Sequence, residues 1–182
     1  SIQSLEVESF GAVSEIKPIM LSLLKGLLEN VTDVRINYVN VLSIAEERGV
    51  SIKFGYNSSP ISYSNLINAT IKTEDLEYSI EGCVLDDKII KITKIMGYKI
   101  DISPMGQMLL IQNNDIPGVV GKVGSVLGEN NVNIAEFILS RKSSGNKAYS
   151  IIKIDDSVSA EILNELSSLD EVVEVKQITI NE

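Results

Sequence analysis

The spacing of apolar residues predicts a strand and two helices at the start of the chain. Leu5-Glu6-Val7-Glu8 alternates between apolar and acidic residues, as a half-buried strand does. The segment KPIMLSLLKGLLENV then repeats its apolar residues at helical spacing and has Pro18 in its first turn. NVLSIAEERG predicts a second helix, which should end at Gly49 because glycine commonly follows a helix terminus.

From Ser51 the apolar period falls to two, which predicts strands. Five segments share this alternation: SIKFGY, NLINATIKT, LEYSIEGCV, KIIKITKI and YKIDI. Turn residues at Asp86-Asp87 and Met96-Gly97 separate the last three segments. This part of the chain is therefore predicted to be an α+β unit whose later strands form an antiparallel meander ending near Ile102.

After the hinge-like segment SPMGQ, the pattern of elements starts again. The predicted elements are strand MLLIQ, a helix at 119–130, strands NIAEFILS and KAYSIIKI with KSSGN as their turn, helix SAEILNELSSL and strand EVVEVKQI. The order βαββαβ predicts a ferredoxin-like fold, with two helices on one face of a four-stranded antiparallel sheet. The predicted fold class is α+β, with a mixed α/β domain at residues 1–104 and the ferredoxin-like domain at residues 105–182.

Composition points to binding rather than catalysis. The 182 residues contain no histidine, which is the base that serine and cysteine nucleophiles usually need and a common ligand of catalytic zinc. The acidic residues are scattered over polar faces, so no carboxylate pair stands out for acid–base chemistry. We therefore predict no catalytic residue and no metal site in this chain.

Charge and hydropathy limit the expected partners. A formal net charge of −9 without any basic run argues against a nucleic-acid groove. No apolar stretch approaches the roughly 18 residues that a membrane span needs, so a membrane is not an expected partner either. The single cysteine, Cys83, cannot form an internal disulfide, and a cytoplasmic location fits this best. Because the chain starts at Ser1 rather than at methionine, we expect it to be a piece of a longer protein.

The segment NNDIPGVVGKVGSVLGENNVNI, residues 113–134, carries the strongest signal for a site. Its glycines have the spacing of neither a P-loop nor a dinucleotide-binding fingerprint. On a helical projection, Gly121, Gly124 and Gly128 form a stripe beside the apolar face. Such a stripe allows either close packing within the fold or room for a small ligand or a second subunit.

The start of this helix is suited to a carboxylate. Pro117 fixes the entry of the chain, and Gly118 leaves the loop without a side chain. The N–H groups of Val119 and Val120 have no carbonyl partner within the helix and lie at the positive end of its dipole. We therefore expect these four residues to line an anion-binding position.

Three polar residues flank the helix start. Asn113 and Asp115 are alternate residues leaving the first strand, and Asn133 begins the next strand, which we expect at the same end of the sheet. Asp115 can accept an ammonium and the helix N–H groups a carboxylate, so the predicted ligand is a zwitterion. The alternative is that Asp115 caps the helix and Asn133 shapes a turn.

These residues resemble a known family. The segment NNDIPGVVGKVGSVLGENNVNIAEFILSR is similar to the ACT domain of the D-3-phosphoglycerate dehydrogenases. LKGLL, NYVNVLSIAEERGV and IIKITKIMGYKIDISPMGQMLLI resemble the intervening, allosteric substrate-binding domain of the same family. The resemblance covers essentially the whole chain. It implies a regulatory region without a cofactor of its own, and catalytic domains upstream that use NAD.

The resemblance also implies an effector and an oligomer. In the family, L-serine binds between ACT domains of neighbouring subunits and inhibits the enzyme, and its contacts fall on Asn113, Asp115 and Asn133. The expected partners are therefore L-serine, or another small amino acid, and a second copy of the chain. We expect the copies to pair along NIAEFILS, an apolar strand at the edge of the predicted sheet.

A second ligand position is implied by the same resemblance. The family's intervening domain binds an anion through basic residues. Lys91 matches one such position and Lys153 another, whereas a third falls on Ser103. A solvated strand lysine is the alternative for Lys91.

Other functions stay open on the sequence. One is a free-standing ACT regulator that senses a different amino acid. Another is the regulatory part of an iron–sulfur L-serine dehydratase, which also ends in an ACT domain. A carboxylate-based hydrolase has no motif in its favour.

Overall fold

The computed structural model describes residues 1–11, 15–29, 31–58, 63–86, 88–142 and 146–181. The chain divides into two compact units, Ser1–Gly97 and Tyr98–Glu182, and the boundary predicted after residue 104 lies within the second unit. Parts of the predicted turns Asp86-Asp87 and KSSGN fall on residues 87 and 143–145, outside the described residues. Within the described ranges, no helix combines the length and the apolar character that a bilayer crossing requires.

The first unit is the predicted α+β unit. Its elements are β1 (Ile2–Gly11), α1 (Ile16–Glu29), α2 (Val41–Glu47), β2 (Ser51–Asn57), β3 (Asn65–Thr73), β4 (Glu77–Leu85) and β5 (Ile89–Ile95). The strands lie in the order β2-β1-β3-β4-β5, and β3, β4 and β5 form the predicted antiparallel meander. In contrast, β1 and β2 run parallel and are joined by the two helices, a crossover that the alternating pattern does not reveal.

Helix α1 buries one side of its surface against this sheet. Its buried residues recur at every fourth position: Ile16, Met20, Leu24 and Leu28. They belong to one hydrophobic cluster with Leu5 and Val7 of β1. The predicted end of α2 is confirmed, because Gly49 follows it with a φ of 70° and donates its N–H to the carbonyl of Glu46 at 2.9 Å.

The second unit contains the predicted βαββαβ fold. Its elements are β6 (Tyr98–Ile102), β7 (Gly106–Asn114), α3 (Val119–Glu129), β8 (Ile134–Arg141), β9 (Lys147–Ile154), α4 (Ala160–Ser167) and β10 (Val172–Ile180). The last four strands form an antiparallel sheet in the order β10-β7-β9-β8. Side chains of both helices join one core with this sheet: Leu109, Ile111, Val123, Leu127, Ile152 and Leu166. The predicted edge strand is confirmed, because β8 is the last strand in this order.

Candidate functional site

The loop from β7 to α3 is held by three backbone hydrogen bonds. The N–H of Asn114 donates to the carbonyl of Glu171 at 2.8 Å, and the N–H of Asp115 donates to the carbonyl of Asn146 at 2.8 Å. The N–H of Ile116 turns back onto the carbonyl of Asn114 at 3.0 Å. The loop is therefore tied to the segments that precede β9 and β10, and the Asp115 side chain leaves the backbone at a fixed point.

Asn113 lies beneath this loop and is only 2% exposed. Its Nδ2 donates to the carbonyl of Asn114 at 2.8 Å, and its Oδ1 accepts from Oγ of Ser150 at 3.5 Å. Both ends of the amide thus have partners within the fold, so Asn113 supports the shape of the loop. Its second N–H and the second lone pair of Oδ1 are left over, but the burial of the side chain limits a direct contact with a ligand.

Asp115 forms an ion pair that sequence reasoning missed. Its Oδ1 lies 3.2 Å from Nε of Arg141, the last residue of β8, and the Asp115 and Arg141 side chains are 23% and 65% exposed. The strand register explains the contact, since Asn113 in β7 and Arg141 in β8 both pair with Ala148 in β9. In the sequence, Arg141 is only the last residue of NIAEFILSR, because its place beside Asp115 depends on this register.

The N-terminus of α3 has no side-chain cap. Gly118 occupies the cap position with a φ of 96°, which favours glycine, and no side chain accepts a hydrogen bond there. The alternative in which Asp115 caps the helix is therefore wrong. Pro117 precedes the cap in an exposed turn, Val119 is buried, and Val120 is 46% exposed. The first turn keeps the donor capacity that every helix start has.

The glycine stripe of α3 does not pack against the described part of the fold. A Cβ added at Gly121, Gly124 or Gly128 would meet no atom within 4 Å beyond the backbone of the helix itself. Close packing within one chain is therefore not the reason for the stripe. The other alternative, that the stripe makes room for a ligand or a second subunit, stays a prediction.

Two alanine substitutions in this segment should change stability in opposite directions. Gly121→Ala adds a methyl group in open space at a helical position, so we expect the free energy of unfolding to rise by about 1 kcal/mol. Gly118→Ala places a Cβ on a backbone with φ of 96°, so we expect a fall of about 1–2 kcal/mol. Urea unfolding of both variants measures the sign of each change in the free energy of unfolding. A fall in both would contradict the open position of Gly121.

Asn133 lies at the opposite end of the sheet from Asp115, so its predicted position is wrong. Strands β7 and β8 both run antiparallel to β9 and are therefore parallel to each other. Ile134, at the start of β8, pairs with Ile154, which in turn pairs with Gln107 at the start of β7. The physical reason is that α3 carries the chain back to the end where β7 began. The eight residues of β8 separate the two ends by roughly 25 Å.

Asn133 is exposed and is oriented by a neighbouring acid. Its Nδ2 donates to Oδ2 of Asp155 at 2.7 Å. Because an ionised carboxylate only accepts hydrogen bonds, the NH₂ side of the amide must face Asp155. Asn133 therefore keeps its Oδ1 as a free acceptor, which suits an ammonium or a hydroxyl group.

A second ion pair supports the loop from α3. Lys122 hydrogen-bonds to Oε1 of Glu171, whose side chain is 14% exposed. The hydrogen bond from Lys122 holds the pKa of the Glu171 carboxyl below its usual range. Because the carbonyl of Glu171 also accepts from Asn114, this residue joins the helix to the loop before it. Sequence reasoning did not single out Glu171.

The two lysines predicted for an anion site lie in different units. Lys91 is in β5 opposite Cys83, and Lys153 is in β9 between Met108 and Glu136. Both lysines are partly buried. The anion site stays a prediction. Among the described residues, no three His, Cys, Asp or Glu side chains come together as a metal site would need.

The fold and its polar loop define a class of protein. A βαββαβ domain that follows an α+β unit and has an acid beside the uncapped start of its first helix is a ferredoxin-like module. The family model of the ACT domain matches residues 107–171, and that of the D-3-phosphoglycerate dehydrogenase intervening domain matches residues 1–96. The chain belongs to the D-3-phosphoglycerate dehydrogenase intervening domain family, with an ACT domain after the intervening domain.

Three named relatives are similar to most of this chain. This chain is 30% identical over 181 residues to D-3-phosphoglycerate dehydrogenase of Bacillus subtilis, and the match covers 98% of this chain and 34% of that protein. The D-3-phosphoglycerate dehydrogenase of Synechocystis is 32% identical over 153 residues, which cover 84% of this chain and 28% of that protein. The probable L-serine dehydratase beta chain of Bacillus subtilis is 29% identical over 159 residues, which cover 87% of this chain and 71% of that protein. The chain thus spans about a third of the length of these dehydrogenases.

Proposed function

We propose that this chain is the regulatory region of a D-3-phosphoglycerate dehydrogenase and binds L-serine, or another small amino acid, at the loop around Asp115. The observation that carries the proposal is the position of Asp115, a partly buried acid next to an uncapped helix start within the ACT match. An acid and free N–H groups a few residues apart suit the two charges of an amino acid.

Each charge of the ligand has a partner on the loop. Asp115 accepts the hydrogen bonds of the ammonium, and the N–H groups of Val119 and Val120 donate to the carboxylate. Pro117 and Gly118 lie between them and place no long side chain over the backbone donors. The proposed ligand is therefore small, because both of its charged groups bind within one loop.

A second copy of the chain completes the proposed site. The residues in the middle of the edge strand β8, Phe137 and Ile138, are only partly buried. Antiparallel pairing of two β8 strands around a two-fold axis places the start of one strand beside the end of the other. Asn133 of the partner subunit then reaches the Asp115 loop above the buried Asn113. Its free Oδ1 accepts from the ammonium or hydroxyl of the ligand.

The proposal assigns catalysis to domains outside this chain. We expect bound serine to inhibit the NAD-dependent oxidation of 3-phosphoglycerate that opens L-serine biosynthesis in the cytoplasm. This chain has no nucleotide-binding motif, so NAD is expected to bind elsewhere. Lys91 and Lys153 are the proposed positions for an anionic ligand of the same region.

One relative favours a second candidate function. The match to the L-serine dehydratase beta chain covers 71% of that protein, against 34% of the Bacillus subtilis dehydrogenase. In this case the chain would serve an enzyme that consumes serine, and the amino-acid site would be the same. Assay of the full-length gene product for 3-phosphoglycerate oxidation with NAD, and for serine deamination, separates the two candidates.

Calorimetric titration of the purified chain tests the amino-acid site. The ligands are L-serine, glycine, which lacks the hydroxyl group, L-phenylalanine, which is much larger, and NAD. We expect L-serine to bind and NAD not to bind. Binding of none of the three amino acids, or hydride transfer to NAD by this chain alone, would contradict the proposal.

A further inference from the structure

The ion pair between Asp115 and Arg141 is exposed on the arginine side, so it can open at little cost in free energy. Nε of Arg141 lies 3.2 Å from Oδ1 of Asp115, and the arginine side chain is 65% exposed. Exposed pairs of this kind contribute little to stability, so opening this pair costs little. The acid, in contrast, is only 23% exposed and is fixed through its own backbone hydrogen bond to Asn146. Asp115 stays in place while Arg141 is free to move.

A partly buried carboxylate is more stable with a positive group beside it than without one. Without a ligand, Arg141 is that group. When the ammonium of an amino acid takes over Asp115, the guanidinium is released within reach of the ligand. The ligand's own carboxylate is then two bonds from the ammonium nitrogen. A guanidinium offers five N–H donors that match a carboxylate, so it can exchange one carboxylate for the other.

We infer that Arg141 selects ligands that carry a carboxylate next to their ammonium, by exchanging Asp115 for that carboxylate on binding. The inference rests on the proposed function, because it assumes an amino acid at Asp115. It adds a cationic partner for the ligand carboxylate to the neutral N–H groups of the loop. An amine without a carboxylate displaces Arg141 from Asp115 and leaves the guanidinium without a new partner. The ligand class is therefore the α-amino acid zwitterion.

The test compares L-serine with ethanolamine, which is serine without its carboxylate. Both are titrated calorimetrically into the whole chain as wild type, Arg141→Met, Arg141→Lys and Lys142→Met. Lys142 is the matched control, because it is the next cation along the chain and contacts the ring of Tyr98 rather than Asp115. Thermal unfolding of each variant verifies that it is folded.

We expect Arg141→Met to weaken L-serine about 10- to 150-fold, the value of one hydrogen bond to a charged group. Ethanolamine should bind this variant as well as it binds the wild type, or more tightly, because Asp115 no longer has a competing partner. The preference for serine over ethanolamine should therefore fall to the part that the N–H groups of Val119 and Val120 supply. Arg141→Lys should retain part of the preference, since an ammonium is a single-point donor. Lys142→Met should retain all of it.

Two results would overturn the inference in different ways. If Arg141→Met weakens serine and ethanolamine by the same factor, Arg141 only maintains the loop and does not read the carboxylate. If the wild type binds neither compound, the proposed amino-acid site itself is absent. The first result contradicts the role of Arg141 but leaves the proposed function intact. The second contradicts both the role of Arg141 and the proposed function.

Discussion

Replacing Asp115 by alanine is expected to weaken L-serine binding about 10- to 150-fold. The ligand's ammonium loses a hydrogen bond to a charged acceptor, which contributes roughly 1.5–3 kcal/mol. Asp115 is the only acid in NNDIPG, so no neighbour in that segment replaces it. The loop should keep its shape, because the Asp115 N–H still donates to the carbonyl of Asn146. Calorimetric titration with L-serine measures the change.

Two further variants make this result specific. Asp156→Ala removes an exposed acid of the same unit and should leave serine affinity unchanged. Asn133→Ala removes a neutral acceptor, and its hydrogen bond with the serine hydroxyl is worth roughly 0.5–1.5 kcal/mol, so the variant should bind serine only about 2- to 13-fold more weakly. If Asp115→Ala binds serine as tightly as the wild type, the site is elsewhere and the assignment carried over from the family is wrong.

Introducing a lysine at Ile138 should raise the dissociation constant of the dimer at least about 100-fold. Ile138 is near the middle of the edge strand β8, where two-fold pairing brings each residue close to its own copy. The substitution removes apolar burial of roughly 1.5–3 kcal/mol per side chain and sets two like charges opposite each other. Sedimentation equilibrium over a range of concentrations measures the constant.

The other edge of the same sheet provides the matched control. Ile178 of β10 is also partly buried, and the register places it on the same face as Ile138. Ile178→Lys should therefore leave association unchanged if β8 is the interface. Dissociation by Ile178→Lys instead of Ile138→Lys would move the interface to β10. Added serine should tighten the wild-type dimer, because coupling between binding and association is reciprocal.

The elements of the fold were predictable because the local pattern determines them. The alternation of β3 to β5 and the βαββαβ order of the second unit follow directly from the period of apolar residues. The parallel pairing of β1 with β2 was not predictable in this way, because it depends on where two helices return the chain. Periodicity assigns the elements, whereas strand neighbours depend on the packing of the whole unit.

The candidate site shows the same limit. The helix start and Asp115 are contiguous in sequence, so their proximity follows from the motif. Arg141 and Glu171 reach the loop only through the register of β8 and β10, which no local pattern encodes. The position of Asn133 was predicted at the wrong end of the sheet, although the length of α3 is sufficient to show that the chain returns before β8 begins.

The backbone bonds of the loop also affect the order in which this protein matures. The acceptors for Asp115 and Asn114 are the carbonyls of Asn146 and Glu171, which follow the loop in the chain. During translation Asn114 and Asp115 are synthesised before either acceptor. A nascent chain cannot form both of these loop hydrogen bonds until Glu171 has been synthesised and lies beside the loop. A product truncated before Glu171 should therefore not bind L-serine.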